Sequence, residues 1–290
     1  MRGPPEDRSL ADLLAFGVVN LDKPPGPSAH QVAGWVRDAM GVERAAHAGT
    51  LDPKVTGCLP TLTGDATRLA QVFLEGTKEY VAVLELHGPA PSDLGAVVAE
   101  FESDVYQKPP RKSAVSRRLR SRRIHELDVL EVVERQALLR IRCESGTYVR
   151  KLCHDLGLAL GTGAHMGHLR RTGTDPFDDT DLVSLHDVVD ALAFADEGDE
   201  SAIREVVAPA ERALTHLPRL TVAPSAAEQI VEGAPVYAPG VVDAADAADT
   251  DRGTLVACFT PDDAVVCLGT LVGDPTAESG EVVSLERVLV

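Results

Sequence analysis

The spacing of apolar residues changes at about Leu217 in this chain. Beyond that point, short apolar runs alternate with the turn sequences AP, EGAP, APG and PDD. This pattern is typical of a small all-β module, and its first part reads as strand, short helix, strand. Strand-like and helix-like segments are mixed before it. A length of 290 residues is enough for two domains with buried cores, so we expect two.

Four segments of the first part have clear secondary-structure patterns. The segment GVVNLDKPPGPSAHQVAGWVRDAMG begins as a strand, turns, and continues as a helix that Ser28 caps and Gly41 ends. KEYVAVLELHG alternates like a strand, and HELDVLEVVERQALLRIRCES predicts two strands joined by a short turn. TYVRKLCHDLGLAL has the apolar spacing of a helix, which Gly161 ends.

Charge is distributed unevenly along the chain. The net charge is −17, yet the first 174 residues hold 21 acids and 23 bases, whereas residues 175–290 hold 24 acids and five arginines. Lysine is scarce, with six residues against 22 arginines. Such a surface indicates adaptation to high salt, where charge is screened over short distances. Local basic patches would then indicate partners; the simpler alternative is a surface kept soluble by its charge.

The five cysteines and the apolar runs restrict the cellular setting. No pair of cysteines has C-x-x-C spacing, so neither a disulfide framework nor a cysteine zinc site is expected. No apolar run approaches the roughly 18 residues that a membrane span needs. The N-terminal sequence has no secretory apolar region. We expect a cytoplasmic protein without a membrane partner.

Asp52 is the first candidate for chemistry. It lies in AHAGTLDPKVTGCLP, where small residues and glycines surround a single carboxylate. Asp before Pro and near Gly is common in turns, so a structural role remains open. Loop residues between packed elements also often carry function.

Arg150 and a basic segment are the next candidates. Arg150 falls in the first turn of a predicted helix, where the helix dipole disfavours a cation, so an anionic partner or a solvated charge would explain it. QKPPRKSAVSRRLRSRRIHEL carries eight basic residues between Lys108 and Arg123. RNA backbone binding accounts for this segment directly, and a solvated flexible loop is the alternative.

Other chemistries have little support in the sequence. His165 and His168 are three residues apart, but no third ligand completes a metal site near them. The chain has no phosphate-binding G-x-x-x-x-G-K-[ST] loop, no G-x-G-x-x-G, no H-E-x-x-H and no G-x-S-x-G motif.

Taken together, these segments closely resemble the TruB family of pseudouridine synthases from about Gly17 to the C-terminus. The motifs are GVVNLDKPPGPSAHQV, HAGTLDPKVTGCLP, KEYVAVLELHG, PPRKSAVSRRLRSRRI, CESGTYVRKLCHDLGLALGTGAHMGHLRR and SLHDVVDAL. GAHMGHLRR, and LPRLTVAPSAAEQIVEGAPVYAPGVV with its similarity to a PUA domain, indicate the archaeal branch. That branch is homologous to dyskerin, the catalytic subunit of box H/ACA ribonucleoproteins.

The resemblance implies an α+β fold with a mixed, largely antiparallel sheet and flanking helices, followed by a small β-barrel PUA domain. The implied organisation is an N-terminal arm over residues 1–16 that packs on the PUA domain, a catalytic domain over 17–215 and the PUA domain over 216–290. The implied activity is the isomerisation of uridine to pseudouridine without a cofactor or metal.

The resemblance also assigns roles to residues. Asp52 matches the catalytic carboxylate and Arg150 the arginine that pairs with it. Tyr80 matches the tyrosine that stacks on the target base. Tyr148 and Leu169 match pocket positions, and His47 matches a histidine near the flipped nucleotide. Lys23 and Pro24 match a motif that supports the active-site loop. The RNA-path residues are Lys108, Arg111, Lys112, Arg117, Arg118, Arg120, Arg122 and Arg123.

The implied substrate is ribosomal RNA selected by a box H/ACA guide RNA. The implied protein partners are Gar-type and Nop-type small proteins and a kink-turn-binding ribosomal-type protein. A stand-alone synthase acting on the T-loop of tRNA is one alternative, and a non-catalytic RNA scaffold is another. The PUA-like region has no Lys or Arg between Arg219 and Arg252, so RNA binding there would depend on backbone groups, polar side chains and shape.

Overall fold

The structure is a computed structural model that describes residues 2–74, 76–109 and 116–289. Its helices are α1 (Leu10–Ala15), α2 (Ala29–Met40), α3 (Leu94–Ala99), α4 (Val149–Ala159), α5 (Leu185–Asp196), α6 (Ser201–Val206) and α7 (Pro224–Val231). The strands up to residue 209 are β1 (Gly17–Lys23), β2 (Ala45–His47), β3 (Thr56–Thr63), β4 (Lys78–Leu86), β5 (Asp104–Gln107), β6 (Arg120–Val133), β7 (Gln136–Cys143), β8 (Ala164–Thr174), β9 (Phe177–Asp178) and β10 (Ala208–Pro209). The later strands are β11 (Arg219–Val222), β12 (Val236–Tyr237), β13 (Val241–Asp243), β14 (Leu255–Phe259), β15 (Val265–Leu271) and β16 (Glu281–Val288).

Within the described ranges, ten strands form one sheet in the order β10-β1-β3-β8-β4-β7-β6-β5, with β2 beside β3 and β9 beside β8. β3 and β8 run parallel, and the other neighbours are antiparallel. Buried apolar side chains from α2, α4 and α5 pack into the clusters around this sheet. The predicted mixed, largely antiparallel α+β fold is therefore confirmed.

The strands after residue 217 form a second sheet in the order β12-β16-β15-β14-β11-β13. Only the pairing of β11 with β14 is parallel among the described neighbours. Ala227 and Ile230 of α7 belong to the apolar cluster of this sheet. This sheet is the small all-β module that the change of pattern near Leu217 predicts.

The predicted limits of α2 are confirmed by its end contacts. The Ser28 hydroxyl accepts a hydrogen bond from the Gln31 backbone at 3.2 Å, and the Gln31 side chain accepts one from the Ser28 backbone at 2.9 Å. This reciprocal pair is a capping box. At the other end, Gly41 adopts φ +64°, and its N–H donates to the Arg37 carbonyl. Glycine adopts that left-handed backbone without strain.

One apolar cluster joins the arm, the large sheet and the β module. It contains Phe16 from the end of the arm, Leu62 from β3 and Phe259 from β14. Arg8 is nearly buried and donates to both carboxylate oxygens of Glu211, at 2.9 and 2.6 Å. Glu211 also accepts from the Val265 backbone N–H at 3.3 Å. The division at residues 16 and 215 stays a prediction, because this cluster crosses it.

None of the helices in the described ranges combines the length and the apolar character that crossing a membrane requires. All five cysteines are free and buried.

Candidate active site

Asp52 lies in the short connection between β2 and β3. Leu51 and Val55 on either side of it are almost fully buried, and they anchor the connection in an apolar cluster. The Val55 N–H donates to the Asp52 carbonyl at 2.9 Å, which closes a tight turn. The Asp52 side chain, in contrast, is 53% exposed. The backbone of the loop is therefore anchored in the apolar cluster, while the carboxylate of Asp52 faces solvent.

Lys23 lies beneath this loop and is fully buried. Its Nζ donates to the carbonyls of Pro24, Pro53 and Val55, at 2.9, 3.1 and 2.8 Å. Burial lowers the pKa of Lys23, and the negative charge of Asp52 opposes that shift. Two of the three carbonyls belong to the residues that surround Asp52, so Lys23 fixes the backbone that presents the carboxylate.

Arg150 forms an ion pair with Asp52 from the first turn of α4. The start of α4 is held in place by Gln107, the last residue of β5, which is 2% exposed. Its Oε1 accepts from the Tyr148 N–H at 2.8 Å, and its Nε2 donates to the Tyr148 carbonyl at 3.2 Å. These bonds replace a side-chain cap at this helix end, and they set the position from which Arg150 reaches Asp52.

Tyr80 and Leu169 border the same place from β4 and β8. These strands are neighbours, with Tyr80 paired to Arg171 and Ala82 paired to Leu169. Both Tyr80 and Leu169 pack against the cluster that contains Leu51, and also against the cluster beneath β4 and β7. Burial raises the pKa of the Tyr80 hydroxyl, and the guanidinium of Arg171 opposes that shift. An aromatic ring and a leucine side chain therefore pack against the apolar cluster that anchors the Asp52 loop.

His47 is the last residue of β2 and precedes Asp52 by five positions. Its side chain is partly buried, and that burial lowers its pKa. The charges of Arg171 and His30 lower the pKa further. These surroundings favour a neutral imidazole near pH 7.

Arg171 is a residue at this site that the sequence interpretation did not select. It is 1% exposed, and its Nε donates to the Cys58 carbonyl at 2.7 Å. Its Nη2 lies 3.4 Å from the Ala48 carbonyl, at the start of the loop that carries Asp52. Arg171 and Leu169 are two positions apart in β8 and so share a face of the strand, which is the one signal that could have revealed it.

The described part of the basic segment adjoins the turn before α4. Lys108, Arg117, Arg118 and Arg123 are exposed, whereas Arg120 and Arg122 are partly buried. Two further predicted RNA-path residues, Arg111 and Lys112, lie outside the described residues.

Arg122 connects this segment with the turn before α4. Its Nη1 donates to Glu144 at 3.0 Å, and a Cβ at Gly146 would lie 3.3 Å from its guanidinium. The basic segment and Arg150 are thus on adjoining parts of the molecule.

His165 and His168 are the histidines that raised the question of a metal site. His165 Nδ1 lies 3.0 Å from Nε2 of His87, rather than being grouped with His168. Among the described residues, no three or more His, Cys, Asp or Glu side chains are placed to hold a metal ion together.

Four family profiles match the sequence. They are described as a DKCLD (NUC011) domain over residues 3–33, the TruB family pseudouridylate synthase N-terminal domain over 37–93, the tRNA pseudouridylate synthase B C-terminal domain over 150–215 and a PUA domain over 218–287.

Two haloarchaeal relatives are similar over the whole chain. A protein of Haloarcula marismortui named "Probable tRNA pseudouridine synthase B" is 66% identical over 294 residues, which cover 100% of this chain and 94% of that protein. A protein of Halobacterium salinarum with the same name is 65% identical over 299 residues, covering 100% and 99% of the two chains.

Solved structures show the same fold. A chain of a Cbf5-Nop10-Gar1 complex matches with a TM-score of 0.93 and 43% identity, covering 100% of this chain and 89% of that one. A chain of an H/ACA RNP bound to a substrate RNA containing 2'-deoxyuridine matches with a TM-score of 0.91 and 41% identity, covering 99% and 89%.

Proposed function

The chain belongs to the TruB family of pseudouridine synthases, and from this premise we propose that it isomerises uridine to pseudouridine in ribosomal RNA under the direction of a box H/ACA guide RNA. The observation that carries the proposal is the contact between Asp52 and Arg150 at an open site bordered by Tyr80 and Leu169. The match to a chain of an H/ACA RNP with bound substrate RNA supports the guide-directed form.

Asp52 carries the chemistry in this proposal. The reaction breaks the C1′–N1 glycosidic bond of uridine and rejoins the ring to C1′ through C5. A fixed carboxylate can attack the sugar, stabilise its positive charge or remove the 2′ proton, and these three roles remain open. Arg150 orients Asp52, because the ion pair between the guanidinium and the carboxylate fixes the direction of the side chain.

The residues around Asp52 hold the target uridine. The base must leave its stack to reach the carboxylate, so it needs an aromatic surface and a shaped pocket. Tyr80 supplies the aromatic ring, and Leu169 and Tyr148 shape the pocket. His47, held neutral by its surroundings, assists the conformation of the RNA. Lys23 and Pro24 support the loop, with Lys23 acting through the carbonyls it binds.

The substrate strand follows the basic segment, whose described residues lead to the turn before α4. The guide RNA binds the PUA domain through polar side chains, backbone groups and shape. Gar-type and Nop-type small proteins and a kink-turn-binding ribosomal-type protein complete the particle, in line with the Nop10 and Gar1 of the matched complex. The enzyme acts in the cytoplasm, a location that five free cysteines support.

A tRNA substrate is the second candidate, because the relatives from Haloarcula and Halobacterium carry the name tRNA pseudouridine synthase B. In that case the enzyme would modify the T-loop without a guide.

The deciding experiment measures pseudouridine formation at high salt with two RNAs. One reaction contains guide RNA, target RNA and the accessory proteins; the other contains a tRNA transcript and the enzyme alone. We expect turnover with the guide and little turnover on tRNA alone. Rapid turnover on tRNA alone would favour the second candidate, and no pseudouridine in either reaction would leave the scaffold alternative.

A further inference from the structure

A cavity of about 160 Å³ lies between α2 and β2, on the chain segment that leads to Asp52. We name it the α2–β2 cleft. Its lining consists of His30, Gly34, Arg37, Glu43, Arg44 and Ala45. Two arginines and a histidine face one glutamate there, in a protein whose net charge is −17. Neither the predicted RNA path nor the proposed catalytic residues include these basic side chains.

Helix α2 forms one wall because of the spacing of its residues. His30, Gly34 and Arg37 are separated by four and three positions, so they lie on one face, while Val32 and Val36 are buried on the other. The seven positions from His30 to Arg37 span about 10 Å along the helix axis. A Cβ at Gly34 would meet nothing within 4 Å, so this glycine leaves the middle of the cleft open.

The opposite wall is fixed by residues 64 and 65. The Gly64 N–H donates to the Arg44 carbonyl at 2.8 Å, and Arg44 Nη2 donates to Asp65 at 2.9 Å. Gly64 has φ +53°, and a Cβ on it would lie 2.2 Å from the Ala15 carbonyl oxygen, so only glycine fits. The backbone of Arg44 is therefore fixed, and its side chain lies at the cleft in a weak, exposed pair with Asp65.

The cleft adjoins β2, the strand that leads to the active site. Ala45 and His47 are two positions apart in β2, so they point to the same side of that strand. Ala45 lines the cleft together with His30, and His30 is also near enough to His47 to act on it electrostatically. An RNA strand lying in the cleft would therefore reach His47 and then the loop of Asp52.

We propose that the α2–β2 cleft binds the phosphodiester backbone of the substrate RNA beside the target uridine. This inference rests on the proposed function and adds a contact surface to it. Guanidinium groups suit phosphate because they bind two oxygens at once. Arg37 and Arg44 are paired with Asp38 and Asp65 in the free protein, but both pairs are exposed. Exposed pairs contribute little, so a phosphate can share or replace them.

The first test removes the cleft arginines. Arg37→Gln, Arg44→Gln and the double variant are compared with wild type in RNA affinity as a function of salt, and in pseudouridine formation. The probes are a guide–target RNA pair with the accessory proteins, and a tRNA transcript. The matched control is Arg140→Gln, because Arg140 is equally exposed and pairs with Asp128 at 2.7 Å on β6 and β7.

Each cleft substitution should weaken RNA binding and reduce the slope of log affinity against log salt by about 0.7, the value for one phosphate contact on a single strand. In the double variant, the reduction in this slope should be the sum of the two single reductions. KM should rise, while kcat at saturating RNA stays at the wild-type value. Arg140→Gln should change neither quantity.

A second test uses Gly34, whose side-chain space is open. Gly34→Glu and Gly34→Gln place side chains of equal size in the cleft, and only the glutamate adds a negative charge. RNA affinity should fall more for Gly34→Glu than for Gly34→Gln. Equal affinities for these two variants would overturn the proposal, because a phosphate site must distinguish them.

The results separate this inference from the proposed function. If both arginine variants keep the wild-type RNA affinity and salt slope, the cleft does not bind RNA. The same conclusion follows if the variants lose only kcat. In either case the proposed function is unaffected. Intact RNA affinity with weaker binding of an accessory protein would assign the cleft to that protein instead. If wild type makes no pseudouridine on either RNA, the proposed function fails, and the salt slope still decides whether the cleft binds RNA.

Discussion

At the scale of residues, the site depends on two buried cations, Lys23 and Arg171. Lys23 holds the carbonyls of Pro53 and Val55, and Arg171 holds those of Ala48 and Cys58. Together they fix the backbone on both sides of Asp52. Neither cation needs to touch the substrate, so both act on the reaction through the position of the carboxylate.

Substituting Arg171 should therefore reduce turnover without weakening RNA binding. In Arg171→Lys the positive charge remains, but an ammonium group cannot reproduce the fork of the guanidinium that reaches two carbonyls. We expect kcat to fall at unchanged KM, with a loss of about 1–3 kcal/mol in stability from the unpaired carbonyls. Single-turnover pseudouridine formation and denaturant unfolding measure these two effects.

Arg170→Lys is the control for that variant, since Arg170 is the neighbouring residue and binds Asp22 at 2.9 and 3.1 Å at a half-exposed position. An equal loss of kcat in the two variants would contradict a positioning role specific to Arg171.

The sequence could identify Asp52 but not the contacts that hold it. From the loop sequence alone, Asp52 could also be a turn residue. The resemblance to the TruB family identified it as the candidate catalytic carboxylate. The function of Arg171 depends on a parallel pairing between β3 and β8, which brings Arg171 against Cys58, 113 positions away. No local pattern encodes a contact over that separation.

At the scale of elements, segments with strong local signals were predictable. Helix α2 has its cap at Ser28 and its stop at Gly41 as predicted, because both depend on neighbouring residues. The alternation of β4 likewise identified it as a strand. The lateral order of the strands was not predictable in detail, because β4 lies between β7 and β8, both of which begin 50 or more positions after β4 ends.

Lys78, the first residue of β4, gives this element a pH dependence. Its Nζ is buried and donates to the carbonyls of Phe73 and Gly76, at 2.9 and 2.8 Å. Burial lowers its pKa from 10.5 to about 8. Between those values the unfolded chain holds a proton that the folded chain has released, so this residue makes stability rise with pH over that window.

Lys78→Met removes this titration. The wild-type protein should therefore gain stability relative to the variant between about pH 8 and about pH 10, which lie between the lowered and the ordinary pKa of lysine. Denaturant unfolding at both pH values measures the difference. The same difference at the two pH values would show that Lys78 does not titrate in this range.

At the scale of the whole molecule, the arm and the β module meet at one buried acid. Glu211 accepts two hydrogen bonds from Arg8, which is 203 positions away in the sequence. It accepts a third from the backbone of Val265, which is 54 positions away. The two-domain organisation could be anticipated from the change of pattern near Leu217. This junction could not, because its partners are separated by most of the chain.

Removing the charge of Glu211 should be costly. In Glu211→Gln, Arg8 remains buried without a charged partner, and we expect a loss of about 3–5 kcal/mol in unfolding free energy. The control is Glu200→Gln, since Glu200 forms an exposed pair with Arg204 at 2.7 Å, and it should lose less than about 1 kcal/mol. Similar losses in the two variants would contradict a special role for the junction.

The distribution of charge also belongs to this scale. Residues 175–290 carry most of the negative charge, while Arg37, Arg44 and the basic segment supply local positive charge where we expect RNA. In high salt, phosphate steering is weak, so pre-positioned contacts matter more than net charge.

The most direct test of the central claim is pseudouridine formation by Asp52→Asn at high salt. Its control is Asp128→Asn, because Asp128 also forms an exposed ion pair with an arginine, on β6 and β7. We expect that Asp52→Asn binds RNA and remains folded but makes no pseudouridine, while Asp128→Asn keeps the wild-type rate. Wild-type turnover by Asp52→Asn would show that Asp52 carries no chemistry and is a turn residue only.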